Sequence, residues 1–277
     1  MRTVLFACSS LFALMLATAG CGSSPPGVIY ADGGPGGAPA ATGTFQLAWQ
    51  DDFDAFDSSR WQLESFTFGG NLAQFTPANA AFKNGLATLS LTPQPSDTAE
   101  PYRGVEMRSL QTITYGKIES RIRFAKGSAV VSSLVLIYTP YPADNWNELD
   151  IEFLGRYSDR AQLNEQVYEG PPVTPPVSQS VSPTQDPAFV SFGFDPSADF
   201  HVYAIEWTPA DVRFTVDGAL VHTWSAQIAR MKLPQNILLT IWASNVASWA
   251  GPVGTDTAPT SADYDWIHVY NWVPNAP

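Results

Sequence analysis

The sequence predicts an all-β protein built as a two-sheet antiparallel sandwich. Apolar and polar residues alternate along most of the chain, which is typical of strands with one buried face. Aromatic residues make up 13% of the 277 residues, and 20 Gly with 23 Pro indicate many turns. Asp217-Gly218 separates two alternating runs, the pattern of a hairpin with a two-residue turn. Short strands with frequent turns favour a sandwich over a helical bundle.

The first 43 residues indicate export followed by a spacer. Residues 1–20 start with a positive charge, continue with an apolar run and end in small residues, as signal peptides do. Gly20-Cys21 resembles the end of a bacterial lipoprotein signal, which implies lipidation of Cys21; plain secretion is the alternative. Residues 21–43 are rich in Gly and Pro and predict a flexible tether. We therefore expect an exported protein, secreted or held at the outer membrane or cell surface, with one folded domain at 44–277.

Charge and cysteine content exclude several classes of partner. The chain has 14 Lys+Arg against 26 Asp+Glu, a net charge of −12, which argues against nucleic acid and against an anionic membrane surface. Membrane contact is expected only through a lipid at Cys21. Cys8 and Cys21 are the only cysteines, so the folded domain has neither a disulfide nor a thiolate metal site. Three scattered histidines form no zinc cluster.

Individual strands follow from local patterns. Residues 86–91 and 116–124 alternate and predict strands with one buried face, whereas 130–138 and 236–242 are more uniformly apolar and predict central strands covered on both faces. Residues 226–231 are the one segment with a helical pattern. Further strands are predicted at 200–207, 212–216, 219–224 and 264–272.

One predicted strand, residues 146–155, carries three carboxylates on one face. Glu148, Asp150 and Glu152 alternate with apolar residues that point the other way. At about 3.3 Å per residue, the Cα atoms of Glu148 and Glu152 are about 13 Å apart. If each side chain leans inward by roughly 4 Å, the carboxyl groups are about 5 Å apart, the separation of a retaining glycosidase.

The crowding of these acids predicts unequal protonation. Three neighbouring carboxylates cannot all ionise cheaply, so at least one pKa should rise. A protonated Glu can donate to a leaving oxygen while an ionised Glu attacks the sugar carbon. Two alternatives stay open on these residues alone: a solvated acidic face, and a calcium site built from carboxylates.

The segment Glu148-Leu-Asp150-Ile-Glu152-Phe-Leu-Gly155 resembles the signature of glycoside hydrolase family 16, in the form found in bacterial β-1,3-1,4-glucanases (lichenases). Laminarinase-type members carry an extra residue before the last Glu, and this chain does not. The resemblance extends from about Phe53 to Tyr270. It implies a β-jelly roll with a concave substrate cleft, residues 44–277 being the catalytic domain.

The resemblance also implies roles for particular residues. Glu148 would be the nucleophile, Glu152 the general acid/base and Asp150 the residue that tunes Glu148, with no cofactor in the chemistry. A structural calcium ion is implied near Gly85 and Asp265. For the aromatic residues matching the family's cleft, the alternative is a core position; for the matching Glu-x-Arg pair, it is a surface ion pair. These substrate-binding candidates are Trp146, Glu106, Arg108, Asn164, Trp242 and Trp249.

Several departures from the family pattern concern the substrate rather than the chemistry. Leu134 and Leu136 occupy positions expected to be aromatic in the cleft, Thr240 replaces an expected Asn, and Asn147 replaces an expected Asp. A proline-rich segment, 170–188, is expected to rim the cleft.

The sequence therefore predicts a monomeric retaining endo-β-glucanase that acts on β-1,3-1,4-glucan. One alternative is a transglycosylase, or a hydrolase of another β-glucan such as β-1,3-glucan or xyloglucan. Another is a non-catalytic glucan-binding module, which three mutually repelling carboxylates on one strand argue against.

Overall fold

The structure, a computed structural model, describes residues 42–95, 98–139, 145–169, 184–185 and 187–275. Within these ranges the helical segments are one turn of α-helix, α1 (Ala247–Ala250), and one of 3-10 helix, η1 (Pro77–Asn79), neither long and apolar enough to cross a membrane. The strands are β1 (Gly43–Asp51), β2 (Trp61–Leu63), β3 (Ala73–Phe75), β4 (Ala80–Phe82), β5 (Ala87–Pro93), β6 (Tyr102–Ile113), β7 (Gly116–Arg123), β8 (Val130–Ile137), β9 (Asn145–Leu154), β10 (Arg160–Glu169), β11 (Thr184–Gln185), β12 (Ala188–Ser191), β13 (His201–Trp207), β14 (Val212–Val216), β15 (Ala219–Trp224), β16 (Gln235–Ala243) and β17 (Thr260–Pro274).

The strands form two layers, as the sequence predicts. In the first, which we call the back sheet, the order is β15-β14-β13-β7-β17. On the side of β17 that faces away from β7, β5 pairs with the first part of β17 and β1 with the rest, and β4 pairs with β5. In the second, the cleft sheet, the order is β2-β6-β16-β8-β9-β10, with β11 and β12 on β10. These pairings are antiparallel, and β3 joins β6 in parallel.

The core lies between the layers because alternate residues of each strand point inward. On β7, Ile118 and Ile122 are buried, while Lys117 and Arg121 lie on the outer face, as predicted. Burial of such aliphatic side chains stabilises the fold by about 1.5–3 kcal/mol each. The cleft sheet contributes Leu134, Leu136, Leu149, Ile151, Phe153 and Leu163 to this core.

The prediction that Leu134 and Leu136 line the cleft is wrong. Both side chains lie in the core between the sheets, and their neighbours Val135 and Ile137 point to the other face. A strand buried on both faces has no apolar–polar alternation, so the sequence does not show which set faces which side. The cleft sheet therefore has an aliphatic lining on β8, though from the other pair of residues.

The hairpin prediction is correct and the helix prediction is not. Asp217 and Gly218 both have positive φ (49° and 77°) and join β14 to β15 in two residues. Residues 226–230 form consecutive turns rather than a helix. The Asn147 side chain binds the chain just beyond them: its Oδ1 accepts from the N–H groups of Lys232 and Leu233 at 2.8 and 2.9 Å. That contact fixes the chain directly after the turns.

One polar side chain spans the two layers. Tyr264, on β17 of the back sheet, is fully buried, and its hydroxyl donates to the carbonyl oxygens of Ser133 at 2.9 Å and Thr240 at 3.2 Å. These two carbonyls belong to the central strands β8 and β16. The contact fixes the cleft sheet over the back sheet at the position where β8 borders β16.

Candidate active site

The three carboxylates of β9 lie on the face of the cleft sheet turned away from the core, which we call the cleft face. Their apolar neighbours on β9 are in the core, so the alternation puts Glu148, Asp150 and Glu152 on the opposite side. Asp150 is 2% exposed, and the two glutamates reach the solvent in part. Strand register places each acid between a residue of β8 and an amide side chain of β10, the latter being Gln166, Asn164 and Gln162 in that order.

Asp150 is the centre of a small polar network. Gln166 donates from Nε2 to Oδ2 of Asp150 at 3.2 Å, and Asp150 also shares hydrogen bonds with Glu148 and Asn164. Burial raises the pKa of Asp150 to about 7, while these hydrogen bonds act in the opposite direction. Near neutral pH this carboxyl is therefore divided between its two protonation states.

Both glutamates are harder to ionise than a glutamate in water. Burial raises the pKa of Glu148 well above its usual range, with further contributions from the charges of Asp150 and Glu152. Burial also raises the pKa of Glu152, and the charge of Asp150 adds to it. The acids are thus arranged so that at least one of them keeps a proton at neutral pH, as the sequence predicts.

An aliphatic strip lies beside the acids on the cleft face. Val135 and Ile137 are the register partners of Asp150 and Glu148, and Leu238 of β16 lies opposite Val135. These three side chains form an apolar cluster separate from the main core. Low polarity on this side removes water from the acids, which is the physical cause of the desolvation that raises their pKa values.

The predicted aromatic residues border the acids on both sides. Trp146 is two residues before Glu148 and stacks on Tyr168 of β10, with ring centroids 4.5 Å apart. Beyond Glu152, Trp242 of β16 packs against Phe68 and Trp249. All three predicted tryptophans are largely buried, and Trp242 and Trp249 belong to the core cluster, as the alternative of a core position requires. Their stacking on a sugar stays a prediction.

Trp249 is hydrogen-bonded to the Glu152 end of the site. Its Nε1 donates to Oε1 of Gln162 at 2.6 Å, and Gln162 is the register partner of Glu152. On the other side of Glu152, the hydroxyls of Ser133 and Thr240 are 2.6 Å apart. Glu152 is therefore flanked by neutral polar groups, and the other predicted acids lie farther along its own strand.

Glu106 and Arg108 lie on β6 at the far side of the same face, separated from β9 by β16 and β8. The alternative of a surface ion pair requires Glu106 and Arg108 to pair with each other, and they do not. Arg108 instead pairs with Glu64, which follows β2, with Nη2 to Oε1 at 2.6 Å. Burial and the charge of Glu64 raise the pKa of Glu106 to about 8, despite Arg108 nearby.

Sequence reasoning missed four residues of this face. Gln162, Gln166 and Tyr168 share the period of two with Asn164 along β10, and this spacing could have assigned them to the same side. Glu64 has no such signal, because its partner Arg108 is 44 residues away along the chain.

The calcium position predicted near Gly85 and Asp265 lies on the back sheet side. The Asp265 carboxylate forms an ion pair with Arg121, so a guanidinium already balances its charge. Within the part of the chain that the structure describes, no group of three His, Cys, Asp or Glu side chains could hold a metal ion. The calcium ion near Gly85 and Asp265 stays a prediction.

Three predictions fall outside the described residues. The signal segment 1–20 with Cys21 lies there, as does the tether except for residues 42–43. Most of the proline-rich segment 170–188 also lies there.

Comparison with known proteins decides the family. Residues 71–268 match Glycosyl hydrolases family 16. The chain belongs to this family. Among curated relatives, a Beta-glucanase of Acetivibrio thermocellus is 32% identical over 225 residues, covering 80% of this chain and 62% of that protein. A Beta-glucanase of Paenibacillus polymyxa is 32% identical over 216 residues, covering 76% of this chain and 83% of that protein.

Two solved structures of β-glucanases share the fold of this chain. A prokaryotic β-1,3-1,4-glucanase (lichenase) derived from a mouse hindgut metagenome has a TM-score of 0.67 at 28% identity, covering 80% of this chain and 98% of that one. The Bacillus licheniformis β-glucanase also gives 0.67, at 27% identity, covering 80% and 97%. The predicted jelly-roll sandwich with a concave cleft is thereby confirmed, and the lichenase-like branch with it.

Proposed function

We propose that this family 16 protein is a retaining endo-β-glucanase that hydrolyses mixed-linkage β-1,3-1,4-glucan. The observation that carries the proposal is the row Glu148, Asp150, Glu152 on one face of β9, in a sheet that is otherwise apolar or neutral at this position. The relatives' descriptions as β-glucanase and lichenase support the substrate class.

In the first step, Glu152 gives its proton to the glycosidic oxygen while Glu148 attacks the anomeric carbon from the opposite side. The bond between that carbon and the leaving oxygen breaks, and a covalent glycosyl ester forms on Glu148. Ionised Glu152 then takes a proton from water, whose oxygen attacks the same carbon and releases Glu148. The two inversions leave the β configuration unchanged.

The raised pKa of Glu152 supports its role, because it keeps this carboxyl in the acid form that the first step needs. The role of Glu148 requires a proton transfer. The hydrogen bond between Glu148 and Asp150 raises the pKa of Glu148 and lowers that of Asp150, so without substrate the shared proton lies on Glu148. Glu148 must be ionised to attack, and Asp150, its hydrogen-bonded neighbour, would take up this proton in the complex with substrate.

The first test removes each proposed catalytic carboxyl without changing its shape. Glu148→Gln and Glu152→Gln should each lower turnover of mixed-linkage β-glucan by about a thousandfold or more. Circular dichroism and thermal unfolding should stay as in the wild type. Glu206→Gln, the same change on the back sheet, is the matched control and should keep full activity. Wild-type rates in either cleft variant would exclude the assignment.

Two product measurements test the linkage and the mechanism. Product sizing on mixed-linkage glucan, laminarin and xyloglucan in parallel should give short oligosaccharides from the first only. Proton NMR of the earliest products should show the β-anomer; an α-anomer would contradict retention. Larger products on adding excess acceptor oligosaccharide would instead favour the transglycosylase alternative.

We also propose that the chain is exported and lipidated at Cys21, on the basis of the apolar run and Gly20-Cys21. Mass spectrometry of the mature protein should then find Cys21 as a diacylated N-terminus. Cys21→Ala should move the protein from the membrane to the soluble fraction, and an unmodified mature protein would contradict the proposal.

A further inference from the structure

Two carboxyl groups face each other at the edge of the cleft sheet. β2 pairs with β6 so that Gln62 lies opposite Arg108, and the ladder continues one step beyond β2, where the N–H of Glu64 donates to the carbonyl of Glu106 at 3.0 Å. Glu64 and Glu106 are therefore cross-strand neighbours on the cleft face. Arg108, two residues along β6, shares that face.

Only one of the two acids holds the arginine. Nε and Nη2 of Arg108 lie 2.7 and 2.6 Å from the same oxygen, Oε1 of Glu64. The other oxygen of Glu64 accepts from Gln62 at 3.2 Å. Within the described residues, the Glu106 carboxyl has neither an ion pair nor a hydrogen bond to a side chain, although Glu106 is only 9% exposed.

The arrangement leaves Glu106 protonated at neutral pH. Like charges directly opposite on a sheet destabilise it, so one of the two acids takes up a proton. Arg108 pairs with Glu64, so Glu106 is the acid of the two that lacks a countercharge in contact with it. Burial and the charge of Glu64 together raise the pKa of Glu106 to about 8. A protonated carboxyl both donates and accepts a hydrogen bond, as a sugar hydroxyl does.

We propose that Glu64 is a positioning residue of the glucan cleft: it holds Arg108 in place and leaves Glu106 free to hydrogen-bond a sugar hydroxyl. This inference rests on the proposed function. Glu106 is aligned with Glu152 across the sheet: Glu106 pairs with Thr240, Thr240 with Ser133, and Ser133 with Glu152. The two glutamates are therefore three strand spacings apart, about 14 Å between their backbones. The three residues would therefore hold the glucan at a distance from the bond that is cleaved.

Loss of the Glu64 charge would let Arg108 pair with Glu106 instead. Arg108 lies on the same face as Glu106, two residues away, and Glu106 would be the nearest carboxyl left to it. The ion pair that would form withdraws both side chains from the substrate. The charged groups that face Glu106 are Glu64, one residue beyond β2, and Arg108 on β6 itself. Across from Glu106 on β16 lies Thr240, which does not titrate.

The test compares Glu64→Gln with wild type on mixed-linkage β-glucan, using the full chain. KM should rise about five- to tenfold while kcat stays within about twofold, because binding remote from the reacting bond is lost equally in ground and transition states. Glu64→Asp, which keeps the charge, should recover most of the loss. Glu206→Gln, the matched control on the back sheet, should leave KM unchanged.

The pH dependence separates this role from a purely structural one. In wild type, KM should rise above about pH 8 as Glu106 ionises. In Glu64→Gln the rise should begin at lower pH, because the repelling charge is gone and Arg108 is free to pair with Glu106. An unchanged KM, or a raised KM with an unshifted pH dependence, would overturn the proposal.

A substrate-free measurement keeps the two proposals apart. Carbon-13 NMR of protein labelled at glutamate carboxyls, with Glu106→Gln for assignment, follows the titration of Glu106 directly. The midpoint pH of this titration should be lower in the Glu64→Gln variant than in the wild type. An unchanged midpoint would overturn the positioning role of Glu64. If the wild type fails to cleave any β-glucan, the proposed function fails, while this titration still decides whether Glu64 controls Glu106.

Discussion

Asp150 lies between two glutamates that need opposite protonation states under the proposed mechanism. Its charge raises the pKa of Glu148 and of Glu152. Asp150→Asn removes that charge and keeps the shape, so both pKa values should fall. The acidic and the basic limbs of the kcat/KM profile should therefore both move to lower pH, by about one unit.

The measurement is kcat/KM on mixed-linkage β-glucan from pH 4 to 9. Asp159→Asn is a suitable control, because that aspartate pairs with Arg160 at an exposed turn away from the acids. A profile with unmoved limbs in Asp150→Asn would show that Asp150 does not act on its neighbours through charge.

The sequence predicted the position of the three acids but not their surroundings. A period of two is enough to place Glu148, Asp150 and Glu152 on one face, since it depends on a single strand. The hydrogen bond that Gln166 donates to Asp150 and the ion pair of Arg108 with Glu64 depend on the register between strands. Register is set by tertiary packing, which a single sequence does not display.

At the scale of elements, Asn147 holds the turns before β16 in place. Its Nδ2 donates to the carbonyl of Arg230 at 3.3 Å, in addition to the two bonds that its Oδ1 accepts. Asn147→Ala leaves partly buried backbone groups without these partners and should lower the free energy of unfolding by about 1–2 kcal/mol. Urea denaturation measures it, with Asn271→Ala at an exposed position of β17 as the control. Equal stability of the two variants would contradict this anchoring role.

For strands with one solvent-facing side, the sequence predicted both the residue range and the buried side. For strands covered on both faces, it predicted the residue range but not which side chains point to which face. β7 alternates and begins at the predicted Gly116. β8 starts at the predicted Val130, but matching Leu134 and Leu136 to the family's cleft positions selected the wrong pair, and the uniformly apolar sequence has no alternation that would show it. The segment at 226–231 forms turns because six residues have only a weak local preference for a helix.

For the whole molecule, buried acids predict stability that falls as pH rises. The pKa of Glu106 rises from 4.5 to about 8 on folding, so between these values the folded chain binds more protons than the unfolded one. The stability contribution is full below pH 4.5 and is lost progressively up to about pH 8. Asp150, with a pKa raised to about 7, acts in the same direction.

Glu106→Gln cannot ionise and escapes this loss. Relative to wild type, the variant should gain stability between pH 5 and 9, by a few kcal/mol since each pKa unit corresponds to about 1.4 kcal/mol. Urea unfolding at pH 5, 7 and 9 measures the difference, and Glu206→Gln on the back sheet should show no such trend. A constant difference between Glu106→Gln and wild type would contradict the burial of an ionisable Glu106.

The aliphatic strip of Val135, Ile137 and Leu238 has a consequence for the heat of binding. Without substrate it forms an apolar band beside the acids in which 7–9% of each residue's surface stays exposed. A glucose ring presents carbon-bound hydrogens on its flat faces, and a ring lying on the strip would release ordered water from its own face and from this exposed remainder. Binding of glucan should then carry a negative heat-capacity change, and its enthalpy should grow more favourable as temperature rises.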